Sequence, residues 1–376
     1  MSIIDHILLF SLLFLVYAFW GKNNANRSTN FWAAAIVPIL LYVFIVGSRY
    51  GWGVDYPWYK FQFENVRYIK DQIVFKWLNQ FLGYIGFNYV GAFMAYAFIF
   101  IVCAFVFLRS FGESSMYMYC FFVPATMFIS AHTIRQGVGL AFVFLALAFF
   151  YQKRWLYIAL VTLIAFNIHS AVIVTLVVIL GIYYVFRRPI HYWLSIPLYL
   201  FFTFAFDVTK MGFIAGLLSK YVRLGNKFQG YIDNSDRWFG SEAIHESWVQ
   251  STFALTASSL FHIFLFYLGY QALKLRVNKQ VLCMYHTVVF GCIFLRAAFL
   301  NEILRRIAEA WVMFYFVPLG YIFYVYFQDC KQEENDESRR LKKHFQVGIT
   351  FILAYLLMYW GRFTFFNERA DFFWFH

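Results

Sequence analysis

A chain of 376 residues with 62% hydrophobic and 13% charged residues has too little polar surface to cover a soluble globule. Its mean hydropathy of +0.62 points the same way, and the expected class is a polytopic membrane protein with no separate soluble domain. The net charge of +12 calls for no nucleic-acid partner, because membrane proteins concentrate Lys and Arg in their cytoplasmic connections.

The chain opens Met-Ser-Ile-Ile-Asp, with neither a basic start nor a small-residue cleavage site, so the first apolar run is expected to stay as a helix. Runs fit to cross a membrane recur over residues 3–20, 31–48, 89–109, 116–131, 133–151, 155–167, 170–186, 190–207, 251–273, 281–300, 311–327 and 345–361. The expected fold is all-α, a polytopic helical bundle of about twelve transmembrane helices with a GT-C-like architecture and a larger outer-face loop. The run 155–167 is short and reads as tilted, broken or continuous with its neighbour. Polar segments at 49–88, 208–250 and 328–344 interrupt the pattern within a single membrane domain, 1–376. Cys103, Cys120, Cys283 and Cys292 lie inside apolar runs and Cys330 precedes a charged stretch, which suits small core residues better than disulfides or metal ligands.

Orientation follows from the short basic connections. Lys22 with Arg27, Arg109, Lys153 with Arg154, Arg187 with Arg188, Lys274 with Arg276 and Lys279, and the Arg339–Lys343 group all fall on one side, which should be cytoplasmic together with segment 328–344. Both termini and the segments 49–88 and 208–250 then lie on the outer face. Four polar blocks fall there too, none of them part of the basic connections: Arg49-Tyr-Gly-Trp-Gly-Val-Asp55, Ile134-Arg135-Gln136, Asn167-Ile-His169-Ser170 and Asn301-Glu302-Ile-Leu-Arg305-Arg306. An ionisable group costs roughly 2.5 to 3.5 kcal/mol at a membrane helix centre, so such groups suggest a site.

In the first block Gly47, Gly51 and Gly53 predict an irregular stretch folded back onto the bundle. Arg49 suits an anion there, and Asp55 can orient Arg49, accept a sugar hydroxyl or act as a general base. Tyr50, Trp52, Tyr56, Trp58 and Tyr59 offer rings for sugar stacking, and equally read as an aromatic belt at the membrane interface. In the second block Arg135 starts a helix, where amides and dipole favour phosphate. His132 shares that site if the helix begins early, and snorkelling to headgroups is the competing account. His169 in the third block suits proton transfer or phosphate binding, or a hydrogen-bonded structural role. In the fourth, Glu302, Arg305, Arg306 and Glu309 have helical spacing for ion pairs. Arg296, in the preceding run, is either a partner of Glu302 or part of the same basic site.

The blocks carry a resemblance. Arg49-Tyr-Gly-Trp-Gly-Val-Asp55-Tyr56 with Tyr59, then Ile134-Arg135-Gln136, then Ile168-His169-Ser170, resemble in order and spacing the motifs of the EpsG-type branch of the Wzy polysaccharide polymerases. Arg306-Ile307 ahead of the aromatic run Trp311–Phe316 is a looser match, and residues 187–295 match nothing specific. The resemblance implies en bloc transfer of a glycan from undecaprenyl diphosphate onto a newly flipped lipid-linked repeat unit, at the outer face of the bacterial inner membrane. Arg49, Arg135 and Arg306 are assigned to the diphosphates, with Arg305 in reserve. Asp55 or His169 is the base, and Tyr50, Tyr56, Tyr59 and Gln136 are sugar contacts. No cofactor is expected, and the lack of a DxD-type pair at the outer face points to metal-independent transfer. A Wzz-like chain-length regulator and a flippase are the expected partners. A lipid-linked oligosaccharide flippase, whose charges would line a cavity reaching both faces, and an O-antigen ligase, which would accept lipid A core, are the rival readings. Segment 208–250 mixes charges with Tyr221, Tyr231, Trp238 and Trp248, and reads as an acceptor-gripping loop or as a surface loop at the headgroups.

Overall fold

The structure is a computed structural model, and it describes residues 3–25, 29–51, 55–70, 72–206, 251–299, 302–328, 336–366 and 371–372. The expected runs fold as helices: α1 (Ile3–Asn24), α2 (Phe31–Gly47), α5 (Tyr89–Arg109), α6 (Ser115–His132), α7 (Ile134–Tyr151), α8 (Trp155–Ile168), α9 (Val172–Val185), α10 (Tyr192–Phe204), α11 (Thr252–Leu275), α12 (Lys279–Ala297), α13 (Glu302–Val312) continued by α14 (Phe316–Gln328), and α15 (Asp336–Phe366). Between α2 and α5 lie β1 (Arg49–Tyr50), α3 (Tyr56–Glu64) and α4 (Ile73–Tyr84), and β2 (Asp371–Phe372) follows α15. Among the described residues, six stretches are long and apolar enough on their own to cross a membrane, and Phe31–Gly47, Trp155–Ile168, Val172–Val185 and Tyr192–Phe204 are shorter apolar helices. The short run proves to be a helix of its own, α8, broken from α9 at His169.

Helix pairing in the absence of water favours close backbones and satisfied polar tips. The α1–α2 hairpin is closed by Trp20 Nε1 donating to the Ala34 carbonyl, 2.8 Å, and by the Tyr17 hydroxyl donating to the Pro38 carbonyl, 3.2 Å. The Tyr42 hydroxyl donates to Ser130 Oγ at 2.9 Å and joins α2 to α6. Around these contacts the core is largely aromatic: Tyr17, Phe100, Phe105, Phe122, Phe144 and Phe316 are fully buried, with edge-to-face pairs such as Tyr17–Phe105 at 5.9 Å.

The bundle has two chemically different ends. At one end the Arg109 guanidinium lies over Phe31, Arg276 over Tyr324 and Lys279 over Tyr183, and the Tyr321 hydroxyl donates to the Arg276 carbonyl at 2.6 Å. The opposite end carries the C-terminus of α2, the α6–α7 break, the α8–α9 break and the start of α13, which is where the polar blocks fall. Segment 328–344 is not loop throughout, since α15 begins at Asp336; residues 329–335 lie outside the described residues, as does segment 208–250.

Segment 49–88 is folded onto the bundle by a satellite core of Tyr56, Tyr59, Ile69, Phe75, Leu82, Phe93, Tyr96, Ile134, Val138 and Ile168. α4 supplies Phe75, Asn79 and Leu82 to it at helical spacing. The Tyr96 hydroxyl donates to Asn79 Oδ1 at 2.7 Å, which ties α4 to α5. Trp77, Phe81 and Tyr84 on the other side of α4 are exposed, an aromatic face of the kind that sits at a membrane interface.

Candidate active site

Arg49 follows α2 directly and is 2% exposed. Its Nη1 donates to the Val46 carbonyl, and its guanidinium lies 5.4 Å from the Phe93 ring centroid. Burial pushes its pKa down to about 10, with Tyr42, Tyr56 and Tyr59 offsetting part of that shift. The side chain is therefore still cationic at neutral pH. A buried cation costs about several kcal/mol unless its surroundings compensate it, and the Arg49 Nε has no acceptor among the described residues. The backbone here is held from a distance: β1 pairs antiparallel with β2, Arg49 opposite Phe372 and Tyr50 opposite Asp371. Gly51, with φ +65°, turns the chain out of that pairing through a region that favours glycine. The Tyr50 side chain and residues Trp52, Gly53 and Val54 lie outside the described residues.

Asp55 heads α3 and is half-buried. One turn on, Tyr59 is buried. Burial pushes the Tyr59 pKa up; the Arg135 guanidinium pulls it down, Asp55 pushes it up, and the Arg135 backbone amide and Arg306 pull it down. Charges from three of the polar blocks thus act on this one side chain. Burial pushes Tyr56 up as well, with Tyr89 adding to the rise and Arg49 opposing it.

Arg135 is half-buried at the start of α7, where its Nη1 donates to Gln72 Oε1 at 2.8 Å and its Nε has no acceptor among the described residues. Thr133 gives α7 no side-chain cap, since its Oγ1 donates instead to the Ile129 carbonyl. Gln136, 7% exposed, donates Nε2 to the Arg306 carbonyl at 3.0 Å and so joins α7 to α13. His169 sits in the break between α8 and α9; its Cβ would lie 3.2 Å from a Cβ added at Gly139, one helical turn along α7 from Arg135. Ile134 and Ile168, the neighbours of Arg135 and His169, share the satellite core that holds Tyr56 and Tyr59.

Arg305 and Arg306 are neighbours on α13, and successive helical side chains point about 100° apart. Arg306 acts on both Tyr59 and Glu309, and its carbonyl accepts from Gln136, whereas Arg305 Nε is 3.6 Å from Glu309 Oε1 and lines a cavity of about 320 Å³ with Arg296, Ser258 and His262. Arg296 donates Nε to the Tyr199 hydroxyl at 2.9 Å and Nη2 to Ser258 Oγ at 2.6 Å. It therefore belongs to the wall of the Arg305 cavity, and the Glu302 side chain proposed as its partner lies outside the described residues.

Several expectations change. The rings of Tyr56 and Tyr59 are buried in the satellite core, with Tyr56 5.2 Å from Phe93, so these rings are not stacking platforms, and the Tyr56 hydroxyl is buried as well. The side-chain amide of Gln136 donates to the Arg306 carbonyl, which gives it a bridging role. α7 does not begin early: α6 ends at His132, and Thr133 separates the two helices. Gln72, Tyr199, Ser258 and His262 escaped the sequence reading. Ser258 and His262 were findable, being polar at a four-residue spacing inside an apolar run; Gln72 had no such signal.

The sequence model of the EpsG family matches residues 32–375, which includes all four blocks. No curated protein and no solved structure matches the chain.

Proposed function

The chain belongs to the EpsG family, Wzy-like polysaccharide polymerases of the membrane glycosyltransferase type, and on that premise we propose that it moves an undecaprenyl-diphosphate-linked glycan en bloc onto a new lipid-linked repeat unit. The reaction takes place at the outer face of the bacterial inner membrane, a side supported by the basic connections at the end opposite the polar blocks. The observation that supports this reading is the bond from Gln136 to the Arg306 carbonyl, 3.0 Å, which ties the helix start that carries Arg135 to the one that carries Arg306, with Asp55, Arg135 and Arg306 all acting electrostatically on Tyr59.

Arg49, Arg135 and Arg306 hold the diphosphate of the donor. A hydroxyl oxygen of the acceptor's terminal sugar attacks the anomeric carbon, and the anomeric C–O bond breaks with its electron pair leaving on the diphosphate. The acceptor proton passes to Asp55, while His169 orients the acceptor from the α8–α9 break. Fixed guanidiniums in a water-poor site stabilise the leaving charge without a metal. A Wzz-like regulator and a flippase complete the assembly line. Family membership favours a polymerase over the ligase and flippase readings.

Purified protein given lipid-linked repeat units tests this. Arg135→Ala should remain folded, with unchanged size-exclusion behaviour, and form no polymer. A near-normal polymer ladder from that variant removes Arg135 from the mechanism.

A further inference from the structure

The cavity on the far side of α13 has a second, apolar room attached. Its polar wall holds Arg296, Arg305, Glu309, Ser258 and His262. Arg296 is 6% exposed and fixed by Tyr199 and Ser258, and the Tyr199 hydroxyl in turn sits 2.8 Å from His262 Nδ1. Tyr355 forms part of this wall and also lines a groove of about 220 Å³ between α11 and α15, with Phe253, Ala257, Leu260, Phe351 and Met358. That groove is apolar, and Phe253, Phe351 and Met358 are exposed on the side of the bundle, where lipid chains run. Two guanidiniums leading into a lateral apolar groove match one kind of molecule: an anionic headgroup joined to a long hydrocarbon chain.

Resting on the polymerase reading, we propose that this cavity and groove form a second lipid-diphosphate site, separate from the Arg49–Arg135–Arg306 site and divided from it by α13. The diphosphate lies against Arg296 and Arg305, the polyprenyl chain leaves along the α11–α15 groove, and Glu309 holds Arg305 while offering an acceptor to a sugar hydroxyl. Gln136 of α7 bonds the Arg306 carbonyl while Arg305 lines this cavity, so the two lipid-linked substrates of a polymerase are held apart and presented across α13.

Native mass spectrometry of the full-length protein in detergent, titrated with undecaprenyl diphosphate, counts the sites. The wild type should take up two molecules. Ala257→Trp, which fills the groove, and Arg305→Gln, which removes a headgroup contact, should each weaken one of the two at least tenfold; Arg135→Ala should weaken the other, and Ala257→Trp with Arg135→Ala should bind neither. Thermal melting identifies any variant that fails to fold, and Leu260→Trp fills the same groove from another position if Ala257→Trp does. Two molecules bound with unchanged affinity by folded groove variants overturn the second site while leaving the polymerase reading in place. Equal competition by phosphatidylglycerol at that site assigns it to an ordinary membrane lipid and overturns the proposal too. No binding of undecaprenyl diphosphate to the wild type defeats the polymerase reading itself, and the second site with it.

Discussion

Gln136 reaches across from the first turn of α7 to the Arg306 carbonyl, 3.0 Å away. The two residues are 170 positions apart, and this bond fixes the start of α13 against the start of α7. Both helices carry an arginine assigned to the donor diphosphate, so the bond sets the spacing between Arg135 and Arg306.

Gln136→Leu removes the donor and leaves the Arg306 carbonyl buried against an apolar side chain. Interhelical hydrogen bonds in membranes contribute roughly 0.6 to 2 kcal/mol, so the variant should fold with a slightly lowered melting temperature. Its polymerisation rate should fall by more than that loss alone dictates, about tenfold or beyond, because misplacing a binding group by about 1 Å is itself costly. Assay of rate and melting on the same preparation separates the effects; a rate within twofold of wild type makes the bond a packing feature only.

Gly47 ends α2 two residues before Arg49, and a Cβ added there would lie 2.6 Å from Met94 Cα. Backbone has to move to admit it. Gly47→Ala should destabilise the protein by about 1 to 3 kcal/mol, the usual range for overpacking, and lower the folded yield in detergent. Because Arg49 follows directly, the surviving folded fraction should also polymerise more slowly per molecule. Unaltered yield and melting would mean that α2 and α5 part more easily than their contact implies.

The helices and the shared end of the four blocks were legible because a membrane enforces a pattern: apolar runs of spanning length, and basic connections on one side. The blocks stood out because ionisable residues are costly beside such runs. Side-chain direction was not legible. Arg305 and Arg306 are adjacent and chemically identical in the sequence, and only the folded helix puts Arg305 in the wall of the Arg296 cavity and leaves Arg306 out of it. The rings of Tyr56 and Tyr59 fit a sugar platform or an interface belt by composition, while the satellite core around Phe93 and Phe75 was invisible until α3 and α4 were folded. The pairing of Arg49–Tyr50 with Asp371–Phe372 joins opposite ends of the chain, a relation that no local spacing encodes.

Leaving-group charge carried by arginines leads to a plain expectation for chelators. Chain growth from lipid-linked repeat units should proceed at an unchanged rate in excess EDTA, with no gain on adding Mg²⁺ or Mn²⁺. A loss of activity in EDTA that a divalent cation restores would transfer part of the charge stabilisation from the guanidiniums to a metal.

Asp55 and His169 are separable by substitution. Asp55→Asn keeps the shape of the side chain and removes its capacity to take a proton, and loss of a general base slows a reaction by about 10² to 10⁴-fold. His169→Gln, in the α8–α9 break and against Gly139, removes an orienting contact and should cost about tenfold, mostly in acceptor KM, since orientation acts through binding geometry. Tyr59→Phe keeps the ring in the satellite core and deletes the hydroxyl on which Asp55, Arg135 and Arg306 act electrostatically; it should lower kcat without unfolding the protein. Single-turnover rates for the three variants rank the roles. If His169→Gln is the one that falls by the larger factor and Asp55→Asn keeps near-normal chemistry, the proton goes to the histidine, and Asp55 serves to hold the Tyr59 hydroxyl between the arginines.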